Sequence, residues 1–193
     1  MKILSYVVGS AALALALMVY GGDVHADSKV QMELEEVVLV EWRELEDATR
    51  YEFHHGDVKL GRSLGGARYF SSDVEVDWDE VRVKATTLHG DPVGKTEVVA
   101  TSSDQRLVVR WDEGEFDTPF LGVHSETETG GVSRMVQELQ EQPHVIPSEV
   151  DEVRRVLFGE AVDRPDRRLP FAPFSFENGE VESFGPYVDL ELP

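Results

Sequence analysis

Val37-Val38-Leu39-Val40-Glu41-Trp42, Arg50-Tyr51-Glu52-Phe53-His54-His55 and Val81-Arg82-Val83-Lys84-Ala85 form the stretch on which the fold turns. β-Branched and aromatic residues recur through it with a period of two, the signature of half-buried strands. In the first run Val38, Val40 and Trp42 share one face, and Val37, Leu39 and Glu41 the other. The second run sends Tyr51 and Phe53 one way and Arg50, Glu52 and His54 the other. The third puts its valines inward and its cations, Arg82 and Lys84, outward. Asp47-Ala48-Thr49 is a turn, and Gly90-Asp91-Pro92 leads into a further strand at Thr96-Glu97-Val98-Val99. Four or more short strands at this spacing predict an antiparallel sandwich.

Val38-x-Val40-x-Trp42, Asp47 to Phe53, and Val81 to Ala85 followed by Gly90 and Gly94 together resemble a fibronectin type III domain, one of the immunoglobulin-like sandwiches, over residues 33–103. The resemblance implies that Trp42 of the second strand and Tyr51 of the third pack in the core, and that Val81–Ala85 belongs to the sixth strand. Two features depart from the family. The segment is short, and the tyrosine that usually precedes the sixth-strand run is matched by Asp79, with Trp78 beside it.

Between these runs, Asp73-Val74-Glu75-Val76-Asp77-Trp78-Asp79 alternates strictly, which predicts a strand with four carboxylates on one face. Calcium takes oxygen ligands, but a strand spreads such carboxylates along a line instead of gathering them around a point. A solvated face that discourages edge pairing is the simpler reading.

Residues 104–193 read as a small α+β region. Leu107, Val109 and Trp111 alternate with Arg106, Val108 and Arg110 as one more strand. Ser133 caps an expected short helix with Met135, Val136 and Leu139 on its apolar face, ended by Pro143. Ser148 with Asp151 resembles a capping box for a second, whose stripe is Val150, Val153, Val156 and Leu157, with Arg154 and Arg155 in its last turns. Asn178-Gly179 is a hairpin signal between Phe174-x-Phe176 and Val181–Phe184, and Tyr187–Leu192 alternates as a final strand. The expected fold class is therefore mainly β: an antiparallel sandwich, then an α+β region with two short helices and a C-terminal hairpin.

The 193-residue chain carries 18 basic against 38 acidic side chains, a formal net charge of -20, and no cysteine. Without cysteine there can be no disulfide framework, thiol nucleophile, iron–sulfur cluster or cysteine-ligated zinc. Nucleic acid is not an expected partner, because its phosphates must be met by Lys and Arg. Five cations are lysines, none beyond Lys95. High acid with scarce lysine resembles proteins of high-salt environments, where screening makes self-repulsion tolerable. An ordinary acidic secreted protein is the alternative.

Residues 1–26 read as a signal peptide: Lys2, an apolar run from Ile3 to Tyr20, and Val24-His25-Ala26 before Asp27, which places cleavage between Ala26 and Asp27. The run is also long enough for an uncleaved membrane anchor, which needs about 20 residues. The expected location is the periplasm or outside the cell, with no membrane contact after cleavage.

No residue set is assigned as catalytic, cofactor-binding or metal-binding, and no cofactor is expected. His54 and His55 lie near Asp57, but neighbours on a strand point to opposite faces. There is no Gly-x-Ser-x-Gly elbow, phosphate-binding glycine loop or His-Glu-x-x-His helix. With 38 acidic residues, carboxylate pairs occur by chance and carry no argument. Phe171, Phe174, Phe176 and Phe184 could form a platform for glycan or protein contact, although phenylalanines in alternation belong more often to a core. The expectation is an exported, non-enzymatic binding or scaffold protein contacting an unknown protein or cell-surface component. The alternatives are an enzyme acting on envelope polysaccharide, with its site between the two regions, and a calcium-dependent adhesion module.

Overall fold

The structure, a computed structural model, describes residues 29–163, 170–178 and 180–193; the expected signal segment, with Ala26 and Asp27, lies outside them. The strands are β1 (Val30–Trp42), β2 (Arg50–His55), β3 (Val58–Ser63), β4 (Ala67–Ser71), β5 (Arg82–Thr86), β6 (Pro92–Trp111), β7 (Pro119–Glu126), β8 (Val132–Glu138), β9 (His144–Val145), β10 (Val153–Glu160), β11 (Phe174–Glu177), β12 (Glu180–Ser183) and β13 (Tyr187–Leu190). The protein is mainly β, and all its strand pairs are antiparallel. Among the described residues helix is confined to two short 3-10 turns, Trp78–Glu80 and Val150–Glu152, and no helix is long and apolar enough to cross a membrane.

The larger sheet runs β3-β2-β5-β6-β1-β4, with β9 also paired to β6. In a flat sheet β2 and β1 would stand about 14 Å apart, three strand spacings. Instead the Trp42 and Phe53 rings lie 4.8 Å apart and those of Phe53 and Phe70 5.2 Å, both edge to face. The sheet is folded over, so β3-β2-β5 faces β1-β4 across a shared core of Val40, Trp42, Tyr51, Phe53, Phe70, Val83 and Ala85. Each such aromatic pair adds about 1 kcal/mol beyond its area burial. The Tyr51 hydroxyl, inside this core, accepts a hydrogen bond from the Leu45 amide at 3.1 Å.

A second core lies at the other end of β1 and β6. Val30, Leu107 and Val109 pack against Leu121 and Val123 of β7 and Val153, Val156 and Phe158 of β10, in a sheet ordered β13-β10-β7-β8. β1 and β6 thus belong to both cores, and β6 runs unbroken through residues 103 and 104, where the sequence suggested a change of region.

Neither expected helix in the C-terminal region forms. Residues 132–138 are strand β8, in which Met135 packs toward the core while Val136, its neighbour, is on the opposite face and exposed. The apolar trio Met135, Val136 and Leu139 therefore does not share a face. Residues 148–159 form one 3-10 turn and then β10. There the helical spacing is produced by a bulge: Val153 faces Ser125 and Arg155 faces His124, so Arg154 is the extra residue. One inserted residue turns a two-residue period into three, which places Val153 and Val156 in the same core. Leu157, on the other face, is buried as well, so the strand reads as an apolar stripe. Ser148 caps nothing; its hydroxyl meets that of Ser125 at 2.9 Å.

The acidic row is also not a strand. Val74, Val76 and Trp78 pack on the first core and Asp73, Glu75, Asp77 and Asp79 face solvent, as alternation requires, but the segment is extended chain ending in a 3-10 turn. Its backbone bonds locally, Val74 to Ser71 and Glu80 to Asp77.

The C-terminal hairpin forms as expected, β11 pairing β12 with Glu177 opposite Glu180. It covers the outer face of the smaller sheet. Phe174 is fully buried with its ring over Gly122, and a Cβ at Gly122 would lie 2.2 Å from that ring. Gly159 similarly leaves room for Pro173. Gly122→Ala should therefore undock the hairpin, and Phe174→Ala should cost about 3–5 kcal/mol. Urea unfolding of both variants checks this; a loss below about 1 kcal/mol for Phe174→Ala would mean that the hairpin contributes little.

Candidate functional site

Three groupings of polar side chains stand out. The first is internal. Arg106, 2% exposed, lies on the face of β6 opposite the second core. Its guanidinium donates a fork of two 2.7 Å hydrogen bonds to Glu149, donates to the Tyr69 hydroxyl at 2.8 Å, and pairs with Asp104 at 2.7 Å. Burial opposes this charge, but the bonds to Tyr69 and Glu149 outweigh it and hold the guanidinium above its ordinary range. Nearby, Arg110 bridges Glu35 and Asp73, and its hydrogen bond keeps the Asp73 carboxyl below the usual range. These are fasteners: they tie β6 to β1, to β4 and to the chain leading into β10. A deleted partner would leave Arg106 a poorly compensated buried charge.

His144 lies on the other side of β6, where the segment after β8 crosses to pair with that strand and sets His144 opposite the core residue Val109. Gln137 Nε2 lies 2.5 Å from His144 Nε2, and with the amide as donor the ring nitrogen must be unprotonated. Desolvation pushes this imidazole down to about 4, and the charge of Arg68, itself paired with Glu141, acts in the same direction. The folded state thus keeps His144 neutral while the unfolded chain protonates it. Its stabilising contribution is complete above pH 6.5 and is lost as the pH falls toward 4, by up to about 3 kcal/mol. Urea midpoints at about pH 7 and pH 5 should diverge in the native protein and converge in His144→Gln. An unchanged divergence would assign the acid sensitivity to other groups.

The second grouping is an open groove of about 910 Å³ beside the β2–β3 turn. Its walls include Arg43, His55, Asp57, Glu80, Arg82 and Lys95. His55 Nε2 is 3.4 Å from the Glu80 carboxylate, whereas His54 points to the opposite face and lies 3.5 Å from Glu52. The two histidines therefore separate, and Asp57 joins His55 alone. Every lining residue falls within 43–97, so the groove does not lie between the two regions. Among the described residues no group of three or more His, Asp or Glu is placed to hold a metal ion.

The third grouping is the exposed face of β3-β2-β5-β6. The strand registers align Arg62, Glu52, Lys84 and Lys95 in one row and Lys59, His54, Arg82 and Glu97 in the next. Arg50 lies on the same face at the end of β2. Six cations thus meet two carboxylates in a chain whose net charge is -20. Lys59 binds Glu52 at 3.0 Å and holds that carboxyl below its usual range. Among the described residues Arg50, Arg62, Arg82, Lys84 and Lys95 form no ion pair, whereas Arg68, Arg106, Arg110, Arg154 and Arg155 each hold a carboxylate. Lys84 directly opposes Lys95. Like charges in that position are destabilising by a few tenths of a kcal/mol up to about 1.

Period-two alternation placed Arg82 and Lys84 outward from the sequence alone. It did not show that β2, β3 and β6 bring Arg50, Lys59, Arg62 and Lys95 beside them, because strand order is not written in any one strand.

The fold and its faces define a sandwich-like, antiparallel β protein with a charge-segregated surface. The chain matches no protein-family model, no curated protein and no solved structure.

Replacing Lys95 with Glu would convert the Lys84–Lys95 opposition into an ion pair. Lys95→Glu should then raise stability by about 0.5 kcal/mol, read as a higher urea midpoint. A lower midpoint would show that the two ammonium groups do not repel across the ladder.

Proposed function

We propose that the protein is an exported, non-enzymatic binding or scaffold protein whose residues 33–103 act as a fibronectin type III-like contact module. In that reading β1 and β4 form one sheet of the module and β3-β2-β5-β6 the other. The strand order supports it, as do Trp42 and Tyr51, whose rings meet at 5.2 Å in the core, and the buried Val83 and Ala85 of the Val-Arg-Val-Lys-Ala run. Asp79 stands where the family has its tyrosine, and Trp78 beside it packs on Phe70 at 5.0 Å.

The observation that carries the binding role is the face of unpaired cations on β3-β2-β5-β6. A chain with 38 acidic residues has carboxylates to spare, yet among the described residues these cations form no ion pair, while the buried Arg106 and the half-buried Arg110 are paired. Open charge at fixed positions on a rigid sheet suits recognition of a partner and steers its approach. Fold alone does not assign a function, so the proposal rests on this face and not on the sandwich.

The competing enzymatic reading centres on the groove with His55, Asp57 and Glu80. Purified protein incubated with peptidoglycan and envelope polysaccharides should show no turnover. Turnover that Glu80→Gln abolishes would overturn the binding reading. Export is checked separately by mass spectrometry of protein recovered from outside the cytoplasm, where the chain should begin at Asp27.

A further inference from the structure

We infer that the exposed face of β3-β2-β5-β6 docks an acidic polypeptide segment of another protein. The inference deepens the binding reading above and rests on it.

Charge sets the sign of the partner. Among the described residues five cations without ion pairs stand on one side of a molecule that is otherwise strongly acidic, so the face presents a local positive field within a negative surround. An anionic group is attracted there and repelled elsewhere, which fixes orientation as well as position. The Lys84–Lys95 opposition fits this role, since an interposed carboxylate would neutralise both ammonium groups.

The rest of the face selects the class of anion. No Phe, Tyr or Trp points outward in either row of paired residues. A polysaccharide or single-stranded nucleic acid would therefore find charge but no aromatic surface on which rings stack. Apolar groups flank the cations instead. Leu64, 74% exposed, follows Ser63 of β3, and Leu88, 56% exposed, lies two residues beyond Thr86 of β5. Ser63 pairs with Tyr51 and Thr86 with Arg50, so both leucines sit at the Arg50 end of the sheet. Exposed leucines beside a charged row match a protein interface, in which apolar anchors supply affinity and charges supply register. Cations on adjacent strands stand about 4.8 Å apart at the backbone, and same-face carboxylates of an extended chain about 6.8 Å. The flexible stems of Lys and Arg span the difference.

The experiment uses the whole protein and three probes of matched charge: a polyglutamate peptide ending in leucines, alginate, and single-stranded DNA. Fluorescence anisotropy should show the peptide binding more tightly than either polymer, with affinity falling as salt rises. The double variant Arg50→Glu/Lys95→Glu should weaken peptide binding at least about tenfold while melting no lower than the native protein. Arg134→Glu, the same charge change at an exposed position of β8, should leave binding unchanged, and Leu88→Ala should remove the advantage conferred by the terminal leucines. Tighter binding of alginate or DNA without turnover would overturn the partner assignment and leave the binding role standing. Self-association lost in the double variant would make the occupant a second copy and overturn it too. Equal loss with Arg134→Glu would overturn the site itself. Turnover of alginate would instead sink the binding reading on which the inference rests.

Discussion

The antiparallel ladder between β1 and β6 is the constraint on which the remaining structure depends. It extends from Val30 opposite Trp111 to Trp42 opposite Val98, with one irregularity at Glu41/Trp42. Because the pair is longer than either core, one end of it closes the aromatic core around Trp42 and Phe53. The other end supplies Val30, Leu107 and Val109 to the core beneath the smaller sheet. No cysteine is present to cross-link the halves, so a shared pair of strands does that work through backbone hydrogen bonds and apolar burial. Residues before and after 103 are consequently continuous in structure, although their sequence patterns differ.

Both faces of this ladder are in use, which explains the disposition of the cations. One face is apolar over both cores. On the other, Arg106 and Arg110 are drawn into contact with Glu149, Glu35, Tyr69 and Asp73, because a guanidinium withdrawn from water needs charged or hydrogen-bonding partners. Cations on the solvent side of β3-β2-β5-β6 meet no such requirement and stay open. Arg106 and Arg110 thus act as fasteners, while Arg50, Arg62, Arg82, Lys84 and Lys95 lie together on an exposed face.

The period-two pattern was legible wherever one face of a strand is buried and the other wet. Val40 and Trp42, Tyr51 and Phe53, and Val83 and Ala85 all lie in the core that their alternation predicted. It misled in β10, which is buried on both faces and carries a bulge at Arg154, and in β8, where an exposed Val136 mimicked a helical stripe. In the acidic segment the alternation of sides was right and the sheet pairing was not, since exposure follows side-chain direction while strand status requires a partner. His54 and His55 separated for the reason the sequence supplied, whereas the pairing of His55 with Glu80 required the return of the chain through the Trp78–Glu80 turn.

Sequence by itself determined the β character, the inward and outward side chains of the main strands, the C-terminal hairpin, the absence of disulfides and the net charge, all properties of short windows or of composition. Tertiary structure alone decided that β6 spans both cores, that Arg106 is buried and Lys95 open, and that cations from four strands form one face. Those outcomes depend on which strands become neighbours. Adjacency is set by the burial of residues far apart in the chain, and no local pattern encodes it.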